Sequence, residues 1–409
     1  MGQNGNLIVG LDLGTTKTCV LVGEVHKEGI DIIGFGSTAS KGLRKGVVIN
    51  IESTVDSINK VLEEAELMSG CKISGVYTGI AGSHIKGLNS HGVIGIKDGE
   101  VTRHDISRVI EAAKAIAIPL DREIIHILPQ EFVVDGQNGI NDPLGMAGVR
   151  LETNVHMVTG LASSAQNIIK CANRNGISVK ELVLQPLASS ESTLEEDERE
   201  LGVVLVDIGG GTTDIAFLKG GSIRYTSILA LGGDHITSDI AVGLRTSLTQ
   251  AEELKVTYGS TVSSHAARDE TLDVTFMGGS NPRKVSRQFL CQIINSRIEE
   301  IFKLVHKEIL RTGYRELVAP SVVLTGGTSL LEGITETGEQ ILNLPVRVGY
   351  PNTVGGLSEI VKSPVYATAV GLLLYGMKHT SYSNNGTKGY KNMFSRITQS
   401  AKNWFAEVI

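Results

Sequence analysis

Aromatic side chains make up only 4% of this 409-residue chain, and Trp404 is its single tryptophan. Cysteine is scarcer still. Cys19, Cys71, Cys171 and Cys291 stand far apart with no C-x-x-C pair, which excludes a thiolate metal site and points to free thiols in a reducing compartment. The ten histidines form no H-E-x-x-H cluster. No Lys/Arg block occurs and the formal net charge is −6, so the electrostatic footprint of a nucleic-acid binder is missing. No apolar run reaches the roughly 18 residues that a membrane span needs. The opening MGQNGNLIVG lacks the charged start of a signal peptide, and Asn6 stands where a myristoylation signal wants Ser or Thr. A cytosolic protein is expected. The P-loop pattern G-x-x-x-x-G-K-[ST] is absent too, which closes one route to phosphate binding.

Glycine, by contrast, is abundant at 48 residues, and 41% hydrophobic with 20% charged residues is ordinary for a globular chain. The length has room for two or three domains. Two stretches echo each other about 195 residues apart: LIVGLDLGTTKTCVLVG from Leu7 and VVLVDIGGGTTDIAFLKG from Val203. Each is an apolar β-rich run, an Asp, a Gly/Thr turn and a second β-rich run. This is the pattern of a β-hairpin with a chemically equipped tip, and two copies predict a duplicated domain. Glycine lets backbone N–H groups of Gly14, Gly209, Gly210 and Gly211 approach phosphate oxygens. Thr15, Thr16 and Thr212 add hydroxyl donors and Lys17 a point charge, while Asp12 and Asp207 can hold Mg²⁺ through waters. A third stretch, SVVLTGGTSLLEGI, places Gly326 and Gly327 between a buried strand and a helix start at Thr328 or Ser329, bare backbone against which a base or ribose can lie. In LTQAEELKVTYG, Glu252 and Lys255 share one helix face as a ribose-binding pair; the plainer reading is an intrahelical ion pair.

That order of elements resembles the actin/Hsp70/sugar-kinase superfamily. Within it, GLDLGTTK, GIAGSHI, EDERELGVVLVDIGGGTTDIAF, TSDIA, AEELK and VVLTGGTSLLEGI are similar to the FtsA family, actin-like proteins of bacterial cell division. The resemblance spans essentially the whole chain. It implies an α/β, ribonuclease-H-like two-lobed fold with Mg-ATP in the cleft, the nucleotide acting as a conformational ligand and any hydrolysis slow. It also implies an adaptor that forms head-to-tail filaments and tethers the FtsZ ring to the cytoplasmic face of the membrane at the division septum. His156 and Thr159 lie near where it would place a residue activating the attacking water, and neither is assigned. The rivals are a small-molecule kinase or another ATPase of the superfamily, a pilus-assembly adaptor or rod-shape filament protein, and a chaperone.

Under this reading residues 1–82, 161–202 and 355–380 form the first lobe, and 203–245 with 321–354 the second. Ala162–Ile177 reads as the connecting helix, with Ile168, Ile169 and Ala172 at helical spacing and a C-cap at Asn175-Gly176. Residues 83–160 form an inserted β-α-β-β subdomain. Its helix opens on a capping box at Thr102 and Asp105, buries Ile106, Val109, Ile110, Ala113 and Ala117, and stops at Pro119. The resemblance assigns the insert to filament contacts and to recruiting later division proteins. It assigns 246–320, the outer piece of the second lobe, to the tail of FtsZ, with Arg287 and Arg297 as contacts. Arg287–Gly313 reads as an amphipathic helix burying Phe289, Ile293, Ile294, Ile298, Ile301, Phe302, Val305 and Ile309.

The chain ends on a second such pattern. After a Ser/Asn/Gly-rich linker at 381–389, residues 390–409 carry one apolar stripe that includes Met393, Phe394, Ile397, Trp404, Phe405, Val408 and Ile409. The segment is too polar to span a bilayer and fits a helix lying in an anionic membrane surface. With three cations against Glu407 and the terminal carboxylate, insertion is expected to be mainly hydrophobic.

Overall fold

A computed structural model of the chain describes residues 7–276, 282–311 and 321–384, with side chains to 379. The two echoing stretches are both hairpins. Leu7–Leu13 pairs antiparallel with Lys17–His26, and Val203–Ile208 with Thr213–Lys219. Each hairpin is extended on one side by an antiparallel strand, Gly29–Ala39 or Ser222–Leu229. On its other side lie two parallel strands, Gly75–Ile80 then Ser178–Leu184 in the first sheet, Ser321–Thr325 then Val346–Val348 in the second. The strand order is therefore the same in both sheets, except that Gly355–Gly356 adds an edge to the first. The chain has the expected two-lobed actin-like fold.

The hairpin strands are buried along most of their length because helices cover both faces. Ile51–Ser69 and Ala162–Arg174 pack on one face of the first sheet and Ala367–Asn384 on the other. Ala162–Arg174 ends as its sequence reads, with Gly176 left-handed at φ 73°. Gly233–Leu244, Leu248–Tyr258, Arg287–Arg311 and Ile334–Leu342 cover one face of the second sheet. Gln185–Thr193 sits between the lobes, against both Val203–Ile208 and Ala367–Asn384.

A four-stranded sheet, ordered Lys86–Gly95, Arg150–Leu161, Arg122–Val134, Gln137–Ile140, forms between the first two lobe segments. The helix Arg103–Lys114 covers it, with the capping box in place: Thr102 N–H donates to Asp105 Oδ2 and Asp105 N–H to Thr102 Oγ1. The helix stops sooner than the apolar spacing implies. Ala115 already leaves helical geometry and Ala117 is exposed, because Pro119 denies helical backbone to the residue before it and the chain departs a turn ahead.

Three further expectations are corrected. Phe289 is 46% exposed, and Leu290 and Cys291 take its place in the core, since the first turn of Arg287–Arg311 lies at the rim. The helix expected to begin at Thr328 or Ser329 is a short 3₁₀ turn, Gly327–Leu330, and the α-helix starts at Ile334 behind a left-handed Gly333. Residues 381–384, read as linker, continue the helix Ala367–Asn384, whose packed face propagates past its last core contact. The stretch carrying Met393, Phe394, Ile397, Trp404, Phe405, Val408 and Ile409 lies outside the described residues.

Candidate functional site

Both hairpin tips close by the same hydrogen bond. Gly14 N–H donates to the Lys17 carbonyl at 3.0 Å, and Gly209 N–H to the Thr212 carbonyl at 2.9 Å. The tips face each other at close quarters. A Cβ on Gly210 would fall 1.9 Å from Thr16 Oγ1, and one on Gly211 2.5 Å from Thr15 Oγ1. The second tip is thus glycine because the first tip occupies the space a side chain would need.

Between the tips runs a cleft of ≈ 380 Å³, a size that takes a small organic ligand. Asp12, Gly14, Thr15, Thr16, Lys17, Asp207, Gly209, Gly210, Gly211, Thr212, Glu252, Lys255, Gly326 and Gly327 all line it, although they come from four separate stretches of chain. Ser329 is the exception: its side chain is buried and its hydroxyl donates to the Gly326 carbonyl, so Thr328 lines the cleft instead.

Three carboxylates gather at the floor. Asp12 accepts from Gln185 Nε2 at 3.4 Å and lies 3.9 Å from Lys17 Nζ. Asp207 Oδ2 accepts from Ser189 Oγ at 2.7 Å and Thr368 Oγ1 at 3.4 Å. Asp214 stands opposite Asp207 in the hairpin register; its Oδ2 accepts from Thr212 Oγ1, while its buried Oδ1 has no hydrogen-bond partner among the described residues. Burial raises all three carboxyl pKa values. Asp12 is pushed up to about 6, with Lys17 opposing the shift and Asp207 reinforcing it; Asp214 is raised well above its ordinary value by burial and then by Asp207. Among the lining residues five carboxylates (Asp12, Asp207, Asp214, Asp234, Glu252) face two ammonium groups, Lys17 and Lys255. Backbone N–H groups at the tips suit an anion, but this acid excess admits one only together with a cation.

The opposite wall is built by Leu248–Tyr258 and Gly327–Leu330. Lys255 Nζ is bonded to Glu252 Oε2 at 2.7 Å, Thr237 Oγ1 at 2.9 Å and the Gly233 carbonyl at 3.2 Å, so the intrahelical pair exists and lines the cleft as well. Val256, Leu330 and Leu331 add apolar surface. Gly326 is left-handed at φ 82°, and a Cβ there would sit 2.4 Å from Asp207 Oδ1.

Other expected residues lie elsewhere. His156 does not line the cleft; its ring bridges Asn89 Oδ1 at 2.6 Å and Thr226 Oγ1 at 2.8 Å, and burial holds its pKa at about 4. Thr159 accepts from the Arg122 guanidinium. Arg287 is bound to Glu270 and Glu332, and Arg297 to Asp239 and Glu300, so neither guanidinium is free to meet a partner as it stands.

Gln185, Asp214, Asp234 and Thr368 were not singled out in the sequence. Asp214 had a usable signal, since hairpin register places it opposite Asp207. Thr368 had none, being 161 residues from Asp207 in the chain.

The sequence profile described as Cell division protein FtsA matches residues 204–371, and the one described as SHS2 domain inserted in FTSA matches 82–159. Cell division protein FtsA of Pseudomonas aeruginosa is 50% identical over 380 residues, covering 93% of this chain and 91% of that protein. Among solved structures, the PilM-PilN type IV pilus biogenesis complex superposes with a TM-score of 0.67 at 18% identity, covering 90% of this chain and 98% of the other. MreB5 of Spiroplasma citri bound to ADP gives 0.58 at 15% identity, covering 94% and 100%. These two likenesses are of fold.

Proposed function

This chain belongs to the FtsA family of actin-like cell-division proteins, and we propose that it is an ATP-binding adaptor that polymerises and tethers the FtsZ ring to the cytoplasmic face of the membrane. The observation that carries the nucleotide reading is the pair of facing hairpin tips above three buried carboxylates, one with an oxygen unpartnered among the described residues. These residues fit Mg-ATP. Asp12 and Asp207 would hold the cation with Asp214 beside them, the tip N–H groups and Lys17 would take phosphates, and Val256 and Leu330 would face the base. A bound Mg²⁺ supplies the positive charge that lets phosphates approach an acid-rich floor. Gln185, an amide bonded to Asp12 and lining the cleft, could orient a water there, and any hydrolysis is slow. The nucleotide serves chiefly to close the lobes.

The outer piece of the second lobe takes the FtsZ tail. An acidic peptide would engage Arg287 and Arg297 by exchanging with Glu332 and Glu300, their more exposed partners at 53% and 51%. The insert recruits later division proteins and makes filament contacts. The last twenty or so residues lie on anionic lipid with Trp404 and Phe405 inserted.

Flotation with anionic liposomes tests the adaptor reading, comparing the full chain, a chain ending at Gly386 and Trp404→Glu, each with and without Mg-ATP. Only the full chain should float. If all three float, or none does, a soluble actin-fold enzyme becomes the better account.

A further inference from the structure

Two cleft groups and one buried hydroxyl behind them converge on one short segment, the turn Pro364–Tyr366 and the first residues of the Ala367–Asn384 helix. Lys17, from the first tip, donates its ammonium to the Val365 carbonyl at 2.7 Å and stands 4.0 Å from the centroid of the Tyr366 ring. Asp207, beside the second tip, accepts from Thr368, whose hydroxyl also lies 2.9 Å from Ser189 Oγ. Ser192, from the helix between the lobes, donates to the Ala367 carbonyl at 2.7 Å. The Tyr366 ring is braced edge-on by Phe35, with centroids 5.6 Å apart.

Of these three holds, the one through Lys17 is built to be given up. Besides Asp12 at 3.9 Å, the partners of the ammonium here are a neutral carbonyl dipole and a ring quadrupole, whereas a phosphate oxygen carries charge and binds an ammonium more strongly than either in the same partly buried space. The four-carbon lysine stem lets the ammonium turn between them without moving the hairpin. We propose that Val365 and Tyr366 are a holding site for Lys17 in the nucleotide-free cleft, and that an arriving phosphate draws Lys17 off and loosens the turn that starts the Ala367–Asn384 helix. That helix packs along the first sheet and leads to the C-terminal stretch, so nucleotide occupancy is read at the root of that stretch. The inference rests on the cleft being a nucleotide site. Tyr366 is a positioning residue, acting through Lys17.

Holding competes with binding, so removing the ring must tighten nucleotide. In the full-length protein, Tyr366→Leu should bind Mg-ATP at least about threefold more tightly by calorimetry, the change expected from losing one cation–π contact. Hydrogen exchange of the wild type should show the amides of Val365, Tyr366 and Thr368 exchanging faster with Mg-ATP than without, while the Gly209–Thr212 tip slows. In Tyr366→Leu the turn should exchange fast in both states. Wild-type protein that binds Mg-ATP with no quickening at the turn overturns the inference and leaves the nucleotide reading intact. A variant that binds no tighter overturns it as well, since a merely structural tyrosine predicts that result. Wild-type protein that binds no Mg-ATP overturns both. Should Tyr366→Leu fail to fold, the wild-type exchange decides alone.

Discussion

Asp12 shows how one buried carboxyl links stability to ligand. Burial raises its pKa to about 6, above its ordinary 3.8. The folded, nucleotide-free protein therefore holds that proton more tightly than the unfolded chain does. Its contribution to stability is full below the unfolded value and is lost as pH rises through about 6. Denaturant melts should accordingly show the nucleotide-free protein weakening between pH 4 and 7. Asp12→Asn should flatten that slope and be more stable at pH 7 by about 1–3 kcal/mol. Cation binding runs the other way: a proton on Asp12 excludes it, so Mg-ATP affinity should fall as pH drops through 6. Asp207→Ala should abolish Mg-ATP binding in calorimetry while far-ultraviolet dichroism stays unchanged; a normal binding isotherm would remove Asp207 from the site.

Between elements, the closest approach at the cleft is that of the two helices behind its floor. A Cβ on Gly371 would lie 1.8 Å from the Ala188 carbonyl, so Ala367–Asn384 and Gln185–Thr193 touch backbone to backbone. Those helices carry Thr368 and Ser189, the two hydroxyls that orient Asp207. Gly371→Ala should force them apart, cost about 1–3 kcal/mol of stability, and weaken Mg-ATP binding by the same displacement. A thermal melt that falls while affinity holds would show that the two hydroxyls do not position Asp207. Element identity was readable from the sequence because it follows local rules: capping at Thr102, the 3.6-residue stripe through Ile106 and Val109, glycine after Asn175. Element ends were less so. Whether Ala117 or Phe289 is core depends on what the helix packs against, which spacing cannot reveal.

For the molecule as a whole, the cleft joins two lobes that each own a core, so a ligand gripping both tips stabilises their closed arrangement. Free Mg-ATP at about 100 times its dissociation constant should add about 2.7 kcal/mol. Calorimetric melting should show that gain in the wild type and none in Asp207→Ala. The insert spans the lobes too. It leaves the chain within the first, yet Gln130 Nε2 donates to the Arg224 carbonyl at 3.1 Å and His156 meets Thr226, both on the Ser222–Leu229 strand of the second. A change in the arrangement of the lobes would therefore be felt at the insert.

The duplicated hairpins, their Asp and Gly/Thr tips and the amphipathic helices were determined by the sequence, since each depends on residues within a few positions of one another. The tertiary structure decided the rest. It placed Thr368 on Asp207 and Val365 on Lys17, 348 residues away in the latter case. It turned Ser329 out of the cleft, closed Arg287 and Arg297 into ion pairs, and gave Gly210 and Gly211 a reason that no single hairpin contains. A contact between distant segments exists only once both lobes have folded, and its energy depends on burial and distance, neither of which is a property of local sequence.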